Sequence, residues 1–337
     1  MIYDCFTFFN ELDLLEIRLN TLAPVVDRFI IAEATRTHSG KPKELLFEKH
    51  RERYAAFADK IIYIVVDDLL SEEEVAKDTF NLPWVNENRQ RNALVRGLVE
   101  AKDDDIIMVS DLDEIPRPEK IPEAAAMLAA GTRSVRFEMA FFNFYLNFKN
   151  YSYAKWLLGT MAIRFGALKD ETLFAALKPD RYTQASENHG CTMQKVRFLP
   201  ADGRLADAGW HFSYLGGVDA IQTKIKSFSH SEFANIPREV LEMRLKHGDD
   251  LFGRAGKSFA VPLDATFPKC VTENASRLSA YLFSVDEKYL RRTAFARRAA
   301  ALRGRLYAFL VRLVPPSLAP LAVRLRDRLL GCGRQCR

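Results

Sequence analysis

Ile106-Ile107-Met108-Val109-Ser110-Asp111-Leu112-Asp113-Glu114 decides how this chain is read. Four apolar residues run without a polar break to Ser110, and three carboxylates follow within the next four positions. A run without alternation reads as a strand buried on both faces, the kind found inside parallel sheets. Upstream, Ile2–Phe9, Arg28–Ala34 (RFIIAEA) and Lys60–Val66 (KIIYIVV) read the same way. Helical patterns separate them. Asn10 is placed to cap a helix carrying Leu12, Leu15, Leu19 and Leu22 on one face. A charged helix is predicted near Glu48–Ala58, and another over Asn86–Ala101. Four strand–helix units in series predict an α/β fold with a doubly wound, mostly parallel sheet.

In such sheets ligands gather beyond the carboxyl ends of the strands. That rule picks out Asn10-Glu11, Glu33–Arg36, Asp67-Asp68 and Ser110–Glu114 as one rim. After Pro116 the pattern changes. A helix over Ile121–Ala130 precedes a long aromatic strand, Ser134–Phe148, then strands at Met161–Phe165 and Gly209–Leu215. A helix follows with Val218, Ile221, Ile225 and Phe228 on one face. This half is read as completing the same sheet, so residues 1–285 form one domain and 286–337 a tail.

The charge is unevenly spread. Residues 288–337 hold 13 Lys+Arg and one acidic residue, Asp327, whereas the rest holds 36 basic and 43 acidic residues. A nucleic-acid binder would carry its basic residues on the folded body, so nucleic acid is excluded as a partner. Five cysteines without CxxC spacing suit free thiols better than a disulfide framework. Met1 leads straight into Ile2–Phe6 with no signal-peptide pattern, which predicts a cytoplasmic protein.

Asp111 and Asp113 lie two apart, which in an extended segment puts both on one face. Two hard oxygen donors at a buried strand end can hold Mn²⁺ or Mg²⁺ and so neutralise a diphosphate leaving group. The same pattern serves haloacid-dehalogenase-like phosphatases, with Asp111 as nucleophile and Asp113 as acid/base. That alternative needs a downstream acidic pair, for which His247-Gly248-Asp249-Asp250 is the candidate. A third alternative is an inactive sugar-binding protein tethered by its tail.

Longer motifs favour one of these. YDCFTFFNELDLLEIRLNTL (3–22), IAEATRTHSGKP (31–42), KIIYIVVDDL (60–69), RQRNAL (89–94) and SDLDEIPRP (110–118) together resemble glycosyltransferase family 17. GWHFSYLGG (209–217) and KIKSFSHSE (224–232) resemble it too. The resemblance covers residues 2–235 and implies a GT-A-type fold, a UDP-sugar donor (UDP-GlcNAc in the family), a divalent metal and inversion at the anomeric carbon. It divides the domain into a nucleotide-sugar half, 1–118, and an acceptor half, 119–285.

On that reading Asn10, Glu11, Glu33, Arg36, Asp67, Arg91 and Asn92 are the candidate donor contacts, with Arg91 able to meet a phosphate bidentately. His230 joins Asp111 and Asp113 as a candidate third metal ligand. Inverting transfer needs a base for the acceptor hydroxyl. Glu232 is the first choice over Glu138 and Glu187, and His211 is the other catalytic candidate. Trp84, Trp156 and Trp210 are candidates to stack on a sugar, Trp156 foremost.

In the tail, Phe295, Ala299, Leu302, Leu306, Phe309 and Leu313 form an apolar stripe, with Arg298, Arg305 and Arg312 beside it. Such a helix suits an anionic membrane surface. The expected acceptor is a carbohydrate or lipid-linked saccharide at the inner face of the cytoplasmic membrane.

Overall fold

The computed structural model describes residues 1–151, 156–175, 193–253 and 256–313. Four parallel strands form its centre: β1 (Ile2–Phe8), β2 (Arg28–Ala34), β3 (Ile61–Val66) and β4 (Ile106–Asp111). Successive side chains of a strand face opposite ways. Phe6, Phe8, Phe29, Ile31 and Met108 therefore enter one core, while Cys5, Ile30, Ala32, Ile107 and Val109 enter another. Both faces are covered, so the strands carry no polar alternation. Helix α1 (Leu12–Leu22) brings Leu15, Leu19 and Leu22 to the first core. Helix α2 (Leu82–Asn92) runs into a 3₁₀ turn whose Ala93 and Leu94 join the second.

The remaining strands are β5 (Glu114–Pro116), β6 (Val135–Phe137), β7 (Ala140–Asn143), β8 (Phe148–Asn150), β9 (Met161–Arg164), β10 (Gly203–Leu205), β11 (Gly209–Ser213) and β12 (Ser258–Ala260). A seven-stranded sheet runs β10-β6-β9-β4-β1-β2-β3, with β9 antiparallel to both its neighbours. Helices on both faces of this mostly parallel sheet make the α/β, GT-A-type arrangement that the motifs led us to expect. Thr7 pairs with Asp111 and Phe8 with Glu33, so β1, β2 and β4 finish at one edge.

The second half does not simply complete that sheet. β5, β7, β8, β11 and β12 form a second sheet of five strands, ordered β12-β8-β7-β11-β5. Ser134–Phe148 is accordingly not one strand. β6 stays in the first sheet, the chain crosses at Glu138-Met139, and β7 ends where Phe144 adopts a left-handed φ of 70°. An aromatic-rich run shows strand propensity throughout, but propensity says nothing about which partner each part will pair with. Asn10 does not cap α1: Glu11 holds the N-cap position, with no side-chain cap bond. The charged segment after Leu46–Lys49 is a 3₁₀ helix, Arg51–Lys60.

Cys5 and Cys270 are free thiols. Cys191, Cys332, Cys336, Glu187 and the tail beyond residue 313 lie outside the described residues.

Candidate active site

The site is built on the turn that joins the two sheets. β4 ends at Asp111 and β5 begins at Glu114, so Leu112-Asp113 is a turn and not a continuation of the strand. This corrects the same-face reading of the two aspartates. Each instead meets its own set of cations.

Arg18, from α1, holds the turn together. Its guanidinium is fully buried and donates to both oxygens of Asp4 at 2.6 and 2.8 Å and to Ser110 Oγ at 2.6 Å. It also donates to the carbonyls of Asp111, Leu112 and Glu114 at 2.8–3.0 Å. Backbone acceptors in and beside a tight turn are thereby satisfied. Sequence reading passed over Arg18, although it lies three residues after Leu15 and four before Leu22, on the buried face of α1.

Asp111 is gripped from the opposite face of the sheet. Arg91, from α2, donates to Oδ1 at 2.8 Å, and Arg197, from helix α3 (Met193–Phe198), reaches Oδ2 at 3.2 Å. Burial works against the charge, but these two guanidinium groups outweigh it and hold the carboxyl well below its usual range. The carboxylate nevertheless remains 40% exposed, open on one side. Arg91 is itself fixed by Glu87 at 3.2 Å and Gln194 at 2.5 Å, and Ser229 donates to the other oxygen of Glu87.

Asp113 faces different partners. Lys224, from helix α4 (Gly217–Ser227), donates to Oδ2 at 3.0 Å and also pairs with Glu11 at 3.2 Å. His211 Nε2, from β11, lies 3.4 Å from Oδ1. Burial again opposes ionisation, and Lys224 with His211 overcomes it, so Asp113 is also held as a carboxylate. Glu114 is fully buried and is pushed above its ordinary value by that burial, despite Arg197 at 2.6 Å. Trp156 Nε1 also donates to Glu114, and the indole lies 4.4 Å from the His211 ring, which stacks on Phe141.

The other candidates divide. Glu11 and Arg91 join the cluster. Asn10 bonds Glu11 through its backbone N–H, and Asn92 accepts from the Gln194 backbone at the foot of α3. Arg36 donates to the Gly40 carbonyl, and Asp67 is exposed beyond β3. Glu33 is not a donor contact. It is fully buried, and its oxygens accept from Lys43, Tyr63 and the backbone N–H groups of Leu46 and Phe47. His230 bonds Glu232 at 3.0 Å and sits edge-on to Trp84. Glu138 pairs loosely with Arg204 at 3.9 Å, and Trp210 is buried under Arg117.

Among the described residues no group of three or more His, Cys, Asp or Glu gathers in metal-binding geometry, so His230 does not complete a ligand set with Asp111 and Asp113. Two ionised carboxylates are still a fitting donor set for Mg²⁺ or Mn²⁺, which commonly take one or two protein oxygens and fill the shell with phosphate and water. Asp249, one of the acidic pair a phosphatase would need, is instead salt-bridged to Lys257 at 2.7 Å.

Residues 1–157 match the family described as Glycosyltransferase family 17. A stretch of 113 residues, 32% of the chain, is 28% identical to the β-1,4-mannosyl-glycoprotein 4-β-N-acetylglucosaminyltransferase of Homo sapiens, and equally to that of Rattus norvegicus. The matched stretch spans only 20% of the length of either relative. Among solved structures, 4-diphosphocytidyl-2C-methyl-D-erythritol synthase from Anaerococcus prevotii DSM 20548 overlaps 56% of this chain and 81% of its own, at 12% identity and a TM-score of 0.29. An overlap that loose adds nothing to the strand order. The family match takes in Glu11, Arg18, Arg91, Trp156 and the whole carboxylate turn, and stops before Arg197, His211 and Lys224. Across its first 157 residues, then, this is a glycosyltransferase-family-17-like chain.

Proposed function

We propose that the protein transfers a sugar, with GlcNAc the first candidate, from a UDP-sugar to a carbohydrate or lipid-linked saccharide, with inversion at the anomeric carbon. The observation that carries this is Asp111: an ionised, half-open carboxylate between two arginines at the carboxyl edge of a parallel sheet. The activity for which the human and rat relatives are named supports GlcNAc.

A divalent cation held by Asp111 and Asp113 would neutralise the charge that builds on the departing diphosphate. The protein's own groups do the rest. Arg91 and Arg197 keep Asp111 ionised and oriented, and Lys224 does the same for Asp113. His211 is a better base than Glu232. Among the described residues its Nδ1 has no hydrogen-bond partner, while Asp113 stands at Nε2 to stabilise the imidazolium. The acceptor hydroxyl would attack the anomeric carbon opposite the diphosphate and give its proton to the His211 imidazole. His211→Gln should therefore lower transfer by about 10²–10⁴-fold with UDP binding retained. Glu232→Gln should stay within about twofold of wild type; the reverse pattern in steady-state rates would return the role to Glu232.

Thermal melting tests the donor. UDP with Mn²⁺ at about 100 times its Kd should add roughly 2.7 kcal/mol of stability, with a much smaller shift for UDP in EDTA. A larger shift with GDP or CMP would sink the UDP assignment. A phosphoryl group trapped covalently on Asp111 would replace the transferase with a phosphatase.

A further inference from the structure

Helix α5 (Glu287–Leu313) is the longest in the molecule's described residues, and its two faces differ sharply. The inward face is small and anchored. Ala300 and Gly304 are buried, and Tyr289 Oη accepts the backbone N–H of Ala260 at 3.0 Å while its ring packs on Phe283. The outward face carries Phe295, Leu302 and Leu306, which are 83%, 68% and 53% exposed. Spaced at i, i+7 and i+11, they fall within about 20° of one line along the helix. Leu302 and Leu306 therefore do not complete the core of the domain.

Exposed arginines border this line on both sides. Arg291, Arg298 and Arg305 recur at seven-residue spacing along one flank. Arg292 and Arg303 lie along the other, about 60–80° from the apolar line. Glu287, salt-bridged to Arg291 at 2.9 Å, is the sole acidic residue of the helix. We propose that this face of α5 is a docking surface for an anionic lipid leaflet, lying in the interface with its three apolar side chains inserted between headgroups.

The geometry selects lipid over protein. Through residue 306 the exposed apolar side chains span about 40°, narrower than the stripe of about 100° or more that a core-facing helix presents. A line one residue wide between guanidinium groups lets the apolar tips dip while the charges stay at headgroup level. Pairing with the same face of a second copy would set arginine against arginine. No helix among the described residues is long and apolar enough to cross a membrane.

Co-sedimentation of the full chain with vesicles tests this. Phosphatidylcholine vesicles containing phosphatidylglycerol should pellet the protein, pure phosphatidylcholine should not, and 1 M salt, where screening falls to about 3 Å, should release it. Each arginine near an anionic surface contributes about fivefold to partitioning, so Arg298→Gln/Arg305→Gln should bind about 25-fold more weakly. The triple variant Phe295→Ser/Leu302→Ser/Leu306→Ser should lose binding with its melting temperature unchanged, because these side chains face outward. Unaltered vesicle binding in both variants would overturn the proposal, as would no lipid binding with a concentration-dependent dimer in sedimentation. Donor hydrolysis is read separately. A protein that pellets with vesicles but hydrolyses no nucleotide sugar would refute the transferase reading and leave this one standing.

Discussion

Asp111→Asn is expected to lower glycosyl transfer by at least about 100-fold while leaving a folded protein, because it removes a carboxylate that would hold the cation neutralising the departing diphosphate. The fold should survive for a specific reason. Arg91 keeps Glu87 as a partner and Arg197 keeps Glu114, so neither buried guanidinium is stranded. The melting temperature should move by no more than about 5 °C, in keeping with the loss of two ion pairs to a partly exposed carboxylate. The measurements are steady-state transfer and the metal-dependent UDP shift, both of which should be lost together. Retained transfer in Asp111→Asn would refute the assignment. Full wild-type activity in EDTA, with the variant dead, would make Asp111 an anchor for the two arginines and remove the metal from the proposal.

Arg18→Ala is expected to give the largest loss of stability of any single substitution near the site. Removing one partner of a fully buried pair costs about 3–5 kcal/mol, since it leaves the other charge uncompensated. Here Asp4 would be left buried and alone, and the carbonyls of Asp111, Leu112 and Glu114 would lose their shared donor. In a domain of this size the melting temperature should fall by roughly 10 °C. Arg18→Met/Asp4→Leu separates the two contributions. Replacing both charges by apolar side chains should recover the ion-pair part but not the turn, so the double variant should melt higher than Arg18→Ala and still bind UDP poorly. Full recovery of both would mean that the carbonyl contacts of Arg18 do not shape the site.

These expectations differ in how far the sequence alone could reach them. The four central strands were legible because burial on both faces leaves an unbroken apolar run, and the stops at Glu33 and Asp111 mark the edge where they end. The split of Ser134–Phe148 between two sheets was not legible. Strand propensity is local, whereas the choice of partner for β6, β7 and β8 depends on β9, β10, β11 and β12, which come later in the chain. Glu33 shows the same limit for a side chain. A carboxylate at a strand end invites a ligand reading, yet Lys43, Tyr63 and the start of the next helix close over it.

What the sequence determined by itself was the class of the fold, the place of Asp111, Asp113 and Glu114 at the end of its fourth strand, and the basic, apolar-striped character of the last helix. All three follow from periodicity and spacing within a few turns of chain. Only the tertiary structure decided what those carboxylates face. Arg197, His211 and Lys224 stand from 83 to 111 residues beyond the carboxylates they face, on elements far along the chain. Arg197 and Lys224 look like surface cations in sequence, and a helix offers no sign of which lysine will be turned inward. Their placement is set by the crossing of two sheets, and long-range electrostatic pairing of that kind has no period to read.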